Sequence, residues 1–252
     1  MVDLRTNLLV HEVPEWLRFP FILGGYRMGG DFSTCARSLF HLHNEALNAW
    51  TMLLGSVLST ASLIFVLTVY HPRGIDVLPF IFFWTSFVTH APFSICYHLM
   101  MPISPAVCDV WRRLDQSFIL IMSVQLTFSM SFFVYPRMWQ TLLATLLVSM
   151  VSARGICMVQ QLTADQRGKV TRLVGVSALG YYVPIVVRAI LDSRRRRDID
   201  IDSRRGLDID IVAAVVVPAS LAGGALLYEC HVPERFFPGK VDRIVSLYFR
   251  TI

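Results

Sequence analysis

Charge is scarce in this chain. Of its 252 residues only 16% are Asp, Glu, Lys or Arg, while 54% are hydrophobic. Soluble domains usually carry about 25% charged residues, so the composition excludes an ordinary soluble globular domain. Lysine is almost absent, since 21 of the 23 basic residues are Arg. There is no C-x-x-C pair. Cys35, Cys96, Cys108, Cys157 and Cys230 are scattered singly, which excludes a disulfide framework or a zinc knuckle and leaves packing residues or free thiols. No signal peptide is visible either. The first 40 residues carry Arg5, Arg18, Arg27 and Arg37 without a long apolar run, so the first span is expected to insert as its own signal. A net charge of +5 with no compact soluble stretch to carry it does not point to nucleic acid. On a membrane protein a basic excess reads as loops facing anionic lipid.

What is there is a series of apolar blocks, each near the roughly 20 residues that cross a bilayer as a helix. They run from Leu47 to Tyr70, Val77 to Met101, after Arg112-Arg113 to Tyr135, Met138 to Gln160, Val170 to Leu191 and Ile209 to Tyr228. The fold class expected is therefore all-α, a polytopic bundle with six spans. The expected divisions are an N-terminal segment over 1–45, the bundle over 46–230 and a C-terminal segment over 231–252. The loops assigned to one face carry 14 Lys and Arg; the other face has Arg73 and Arg137 apart from the loop after the fifth span. That bias places the N-terminus in the cytoplasm, in the plasma membrane or an endomembrane. The loop at about 192–208 breaks the bias with six arginines and an Asp-Ile repeat. Its alternating charges nearly cancel, so it reads as a solvated, partly disordered insertion, with contact to anionic lipid or a partner as the alternative.

Polar side chains inside spans are costly and mark candidate sites. The second span contains His90, Ser94 and His98, and the third opens with Asp115, Gln116 and Ser117. Ser94 and His98 share a helix face. Antiparallel neighbours place the end of span two beside the start of span three, so a histidine and Asp115 are expected to meet, with His98 foremost. The pair serves as a carboxylate–histidine relay, a metal site with His98 as ligand, or an interhelical hydrogen bond that locks the bundle. His90 reads as structural. Before span one, His43-Asn44-Glu45 and Asn48 crowd the membrane edge beside Trp50. Asn44 is placed as a helix cap and Trp50 as an interfacial anchor. Glu45 and Asn48 remain for a buried polar network that also takes in Ser94 and Ser117.

In order along the chain, these segments resemble the progestin and adipoQ receptor family and its haemolysin-III-like relatives. The resemblance rests on Gly25-Tyr26-Arg27; on His43-Asn44-Glu45 with Asn48, Trp50 and Thr51; on Ser94-Ile-Cys-Tyr97-His98; on Leu114-Asp115-Gln-Ser117; and on Pro233-Glu-Arg-Phe-Phe-Pro-Gly-Lys240 with Asp242. It implies a seven-span bundle with a cytoplasmic N-terminus and a zinc ion held by three histidines, of which His98 is one, with Asp115 beside the metal water in a catalytic role. The other two ligands belong to an S-H-Q-x-x-H motif, whose histidines fall at Tyr248 and Ile252 here. The expectation is then a chain without the seventh span, in which zinc binds weakly, because catalytic zinc sites use three protein ligands.

The resemblance implies a receptor for a lipid, sterol or protein hormone, acting in signalling or in lipid and metal homeostasis. Its rivals are a zinc-dependent, ceramidase-like lipid amide hydrolase and a non-catalytic form that pairs with a full-length relative.

Overall fold

The computed structural model describes residues 3–161, 167–199, 233–240 and 242. The sixth expected span, Cys230, Tyr248 and Ile252 lie outside the described residues. Two short strands, β1 (Arg5–Leu8) and β2 (Tyr26–Met28), precede six helices: α1 (Phe32–Arg37), α2 (Ala46–Val69), α3 (Leu78–Met100), α4 (Pro105–Val134), α5 (Met138–Gln161) and α6 (Arg167–Ile199). The helical, polytopic architecture read from the apolar blocks is present. Four stretches, Ala46–Val69, Gly74–Met100, Pro105–Val134 and Met138–Gln161, are long and apolar enough to cross a membrane. The fifth block lies within α6, which continues to Ile199, so the first residues assigned to the charged loop extend the helix.

The distribution of side chains is the inverse of a water-soluble protein. Only 6% of the apolar window of α2 is buried. Leu58 and Phe65 on α2 and Leu142, Leu146 and Met150 on α5 face outward, whereas Ser86, Ser94, Thr127 and Ser131 are fully enclosed. A bilayer rewards this arrangement, because hydrocarbon solvates the apolar face and polar side chains must find partners inside.

The chain forms two compact units, and α3 and α4 each contribute to both. The first comprises Met1–Tyr70, Phe87–Ile119 and Ala225–Ile252. Its N-terminal segment is not a loose polar leader. β1 and β2 pair antiparallel, with Arg5 opposite Met28 and Leu8 opposite Tyr26. Leu8, Val13, Leu17, Ile22 and Tyr26 form a core with Tyr97, Met101 and Cys108 of α3 and α4. The Tyr26 hydroxyl donates to the Ile22 carbonyl at 3.1 Å and accepts from the Phe19 amide at 3.0 Å.

The Pro233–Lys240 turn belongs to the same unit. Gly239 takes φ +80° there, a left-handed conformation that glycine adopts without steric cost. Its amide donates to Asp242 Oδ1 at 3.1 Å, while Asp242 Oδ2 accepts from the amides of Leu23 and Gly24 at 2.8 and 2.7 Å. One buried carboxylate thus clasps two distant segments. Asp242→Ala is expected to cost at least about 2 kcal/mol, since hydrogen bonds to charged groups contribute about 1.5–3 kcal/mol each. The readouts are the melting midpoint in detergent and faster proteolysis near residues 21–24.

The second unit comprises His71–Ser86 and Leu120–Gly224. Small and hydroxylated residues join its helices. Ser177 of α6 meets Ser123 of α4 at 3.4 Å, Gln125 donates to Thr85 at 3.2 Å, and Thr141 donates to the Ser131 carbonyl at 3.2 Å. A Cβ on Gly180 would collide with Val148 Cγ2. α5 and α6 therefore approach closely over a glycine, as membrane helices commonly do.

Candidate functional site

The polar residues of the first unit converge where α2 begins and α3 ends. Glu45 is the first-turn flank of α2, with φ −112° and no capping hydrogen bond from its side chain. Asn44 does not cap this helix. Its amide instead bonds the Gly25 carbonyl at 3.0 Å, which ties the start of α2 to the β2 turn. The Glu45 side chain turns inward. Its Oε2 accepts from Asn48 Nδ2 at 2.7 Å and sits 2.8 Å from His98 Nδ1. Glu45, Asn48 and His98 are all buried.

A second pair lies deeper along the α3–α4 hairpin. His90 Nε2 is 3.0 Å from Asp115 Oδ1, with both side chains buried. Phe93 and Phe118 stack beside it with ring centroids 3.8 Å apart. The expected meeting of His98 with Asp115 is corrected here: Asp115 takes His90, and His98 takes Glu45. The cause is the start of α4. The apolar pattern places Arg112 and Arg113 at the flank of the span, but the helix begins at Pro105. Both arginines bond Asp109 within one turn, Arg113 at 2.7 Å, and this local pairing lets the charged turn belong to the helix. Asp115 is therefore ten positions into α4, and His90 is ten positions before the end of α3. At 1.5 Å per residue each lies about 15 Å from the hairpin turn, so they meet.

Ser94 lies between the two histidines on one face of α3, each four positions from the next. It is wholly buried, and among the described residues its Oγ has no hydrogen-bond partner; neither does His90 Nδ1. Ser117 is buried two positions beyond Asp115. The arrangement therefore offers two carboxylate-held imidazoles with open hydrogen-bonding capacity between them, which suits binding a polar group or orienting an imidazole.

Arg27 completes the cluster, a role that a lone arginine in a polar segment does not signal. Its guanidinium donates to the His98 carbonyl at 2.8 Å, to the Leu99 carbonyl at 3.3 Å and to Ser38 Oγ. A cation there caps the carbonyl end of α3, where the helix dipole favours positive charge. The Gly25-Tyr26-Arg27 marker was the available signal. Burial lowers the Arg27 pKa to about 10, which leaves it charged at neutral pH. His43 is also enclosed, and its Nδ1 accepts from the Glu45 amide at 3.1 Å. Desolvation, then the Arg27 charge, lowers its pKa to about 3, against smaller raising effects of Glu45 and the Ser38 carbonyl. His43 is thus neutral, with its proton on Nε2.

Among the described residues no three His, Cys, Asp or Glu side chains come together to hold a metal. His98 is engaged by Glu45 and Asp115 by His90. The described donors do not make a three-histidine zinc site. Cys35, Cys96, Cys108 and Cys157 are free thiols, as their spacing indicated.

A profile described as haemolysin-III related matches residues 40–247. The chain is 33% identical over 95 residues to membrane progestin receptor beta of Sus scrofa, which covers 35% of this chain and 26% of that protein. It is 26% identical over 250 residues to progestin and adipoQ receptor-like protein 1 of Caenorhabditis elegans, covering 95% of this chain and 56% of the relative. Membrane progestin receptor gamma-B of Danio rerio is 28% identical over 141 residues, covering 55% of this chain and 41% of the relative. The chain thus spans from about a quarter to somewhat over half of the length of these curated relatives.

Proposed function

Because the chain belongs to the haemolysin-III-related family of membrane proteins, we propose that it is a receptor-like protein that takes a lipid or sterol ligand in signalling or lipid homeostasis. The observation that carries this reading is the open hydrogen-bonding capacity of Ser94 Oγ and His90 Nδ1 inside an apolar span. A buried polar atom left unpaired costs about 1–3 kcal/mol. A hydroxyl, ketone or amide on an otherwise apolar ligand would recover that cost. The progestin receptors among the relatives make a progestin a reasonable first probe.

Labelled progestin and a panel of hydroxylated lipids would be titrated against the full chain in nanodiscs. Ser94→Ala is expected to weaken binding about tenfold, or about 1.4 kcal/mol, while leaving the melting midpoint unchanged or raised, because it removes an unpaired hydroxyl. Unaltered affinity in this variant, or no binding by any probe, would remove the reading. A ceramidase-like hydrolase is the second reading, favoured by the carboxylate-held imidazole of His98. We expect no ceramide turnover by this chain. Turnover abolished by His98→Ala would put hydrolysis in place of reception.

A further inference from the structure

We propose that Arg27 and His43 form a binding site for a phosphate group, presented by a phospholipid headgroup or as free phosphate. Both side chains line a cavity of about 150 Å³, together with Thr6, Asn7, His41 and Leu42. Arg27 is 3% exposed and His43 2%. Among the described residues Arg27 Nε and His43 Nε2 have no partner at full hydrogen-bond geometry, although the Ser38 carbonyl lies near enough to favour a proton on His43. With Nδ1 of His43 accepting from the Glu45 amide, Nε2 is a donor. Two residues that line one cavity thus each carry a buried N–H group without an acceptor among the described residues.

The charge is only partly matched: the Glu45 carboxylate favours the charged guanidinium through space but is bonded to Asn48 and His98. Among the described residues Arg27 forms no ion pair; its nitrogens meet two carbonyls and a hydroxyl. Enclosing a guanidinium with no anion in direct contact is costly. Water in the cavity would satisfy the donors but not the charge. An oxyanion does both. Carboxylates and phosphates both favour a two-pronged approach to the guanidinium fork. Here Nη1 and Nη2 are already engaged. The tetrahedral oxygens of a phosphate can instead take single donors from separate residues, with Thr6 at the rim. The cavity's surroundings suit a lipid source. Leu42 is 78% exposed and Phe40 74%, and Phe40 packs edge-on against Trp50, the aromatic anchor at the start of α2.

The site is distinct from the Ser94–His90 position, so its test is independent of the receptor reading. The full chain would be reconstituted in phosphatidylcholine nanodiscs containing either phosphatidic acid or diacylglycerol, and lipid retention read by native mass spectrometry. In parallel, inorganic phosphate would be titrated in detergent and the melting midpoint followed. Retention of phosphatidic acid at least tenfold above diacylglycerol is expected. Thr6→Glu, an exposed rim substitution that leaves the buried cluster intact, should abolish that preference, and His43→Gln should weaken it severalfold. Stabilisation by inorganic phosphate alone assigns the site to the free anion, and retention of phosphatidic acid alone assigns it to a headgroup. Equal retention of the two lipids with no response to phosphate, or a preference untouched by Thr6→Glu, overturns the proposal.

Discussion

Replacing Glu45 with alanine is expected to destabilise the full chain by about 3–5 kcal/mol, the range for removing one member of a buried pair. Glu45 Oε2 is the shared acceptor for Asn48 Nδ2 and His98 Nδ1. Without it, an amide and an imidazole are left buried with lost partners. The effect should appear as a large fall in the melting midpoint in detergent. Glu45→Gln should cost less, because the amide oxygen still accepts one of the two bonds. A cycle of Glu45→Ala and His98→Ala separates the direct interaction from general damage, and residues in contact give coupling of about 0.5–3 kcal/mol. A single-site cost below about 1 kcal/mol, with no coupling, would mean that the cluster does not hold α2 to α3.

That cluster also shows which parts of the site can be read from residues alone. Glu45, Asn48, Ser94, His98 and Asp115 stand out because a polar group in an apolar block has few harmless explanations. Their partners do not stand out, because pairing depends on depth along each helix, and depth depends on where the helix starts. Moving the start of α4 from Arg113 back to Pro105 carries Asp115 about two helical turns deeper and hands it to His90. The same limit hid the N-terminal core. Leu8, Val13, Leu17 and Ile22 follow no helical or strand period, so nothing local announces that they pack on Tyr97 and Met101. Asp242 was recognised as part of a motif, but the amides that it clasps are at Leu23 and Gly24, more than two hundred residues away in the chain. The apolar blocks, by contrast, needed no tertiary information. Their length and composition alone determine where a bilayer accepts a helix, and α2, α3, α4 and α5 lie on them.

Stability should fall as the medium is acidified, and His43 should account for a definable part of the fall. The folded state lowers its pKa from 6.5 to about 3, through desolvation first and the Arg27 charge second. Below pH 6.5 the unfolded chain therefore takes up a proton that the native chain refuses. Its contribution is fully present above about pH 6.5 and is lost progressively as pH drops toward about 3, with a limiting slope of about 1.4 kcal/mol per pH unit. Between pH 7 and pH 5 that amounts to about 2 kcal/mol. Arg27 stays cationic across this window and opposes protonation, while Glu45 favours it and His98 opposes it. His43→Gln cannot titrate, so its melting midpoint should change less between pH 7 and pH 5 than that of the parent chain. If the two profiles run parallel, the acid sensitivity lies elsewhere and His43 is not held neutral. If they converge at low pH, the enclosed imidazole beside Arg27 is neutral in the folded state, as its role as an Nε2 donor requires.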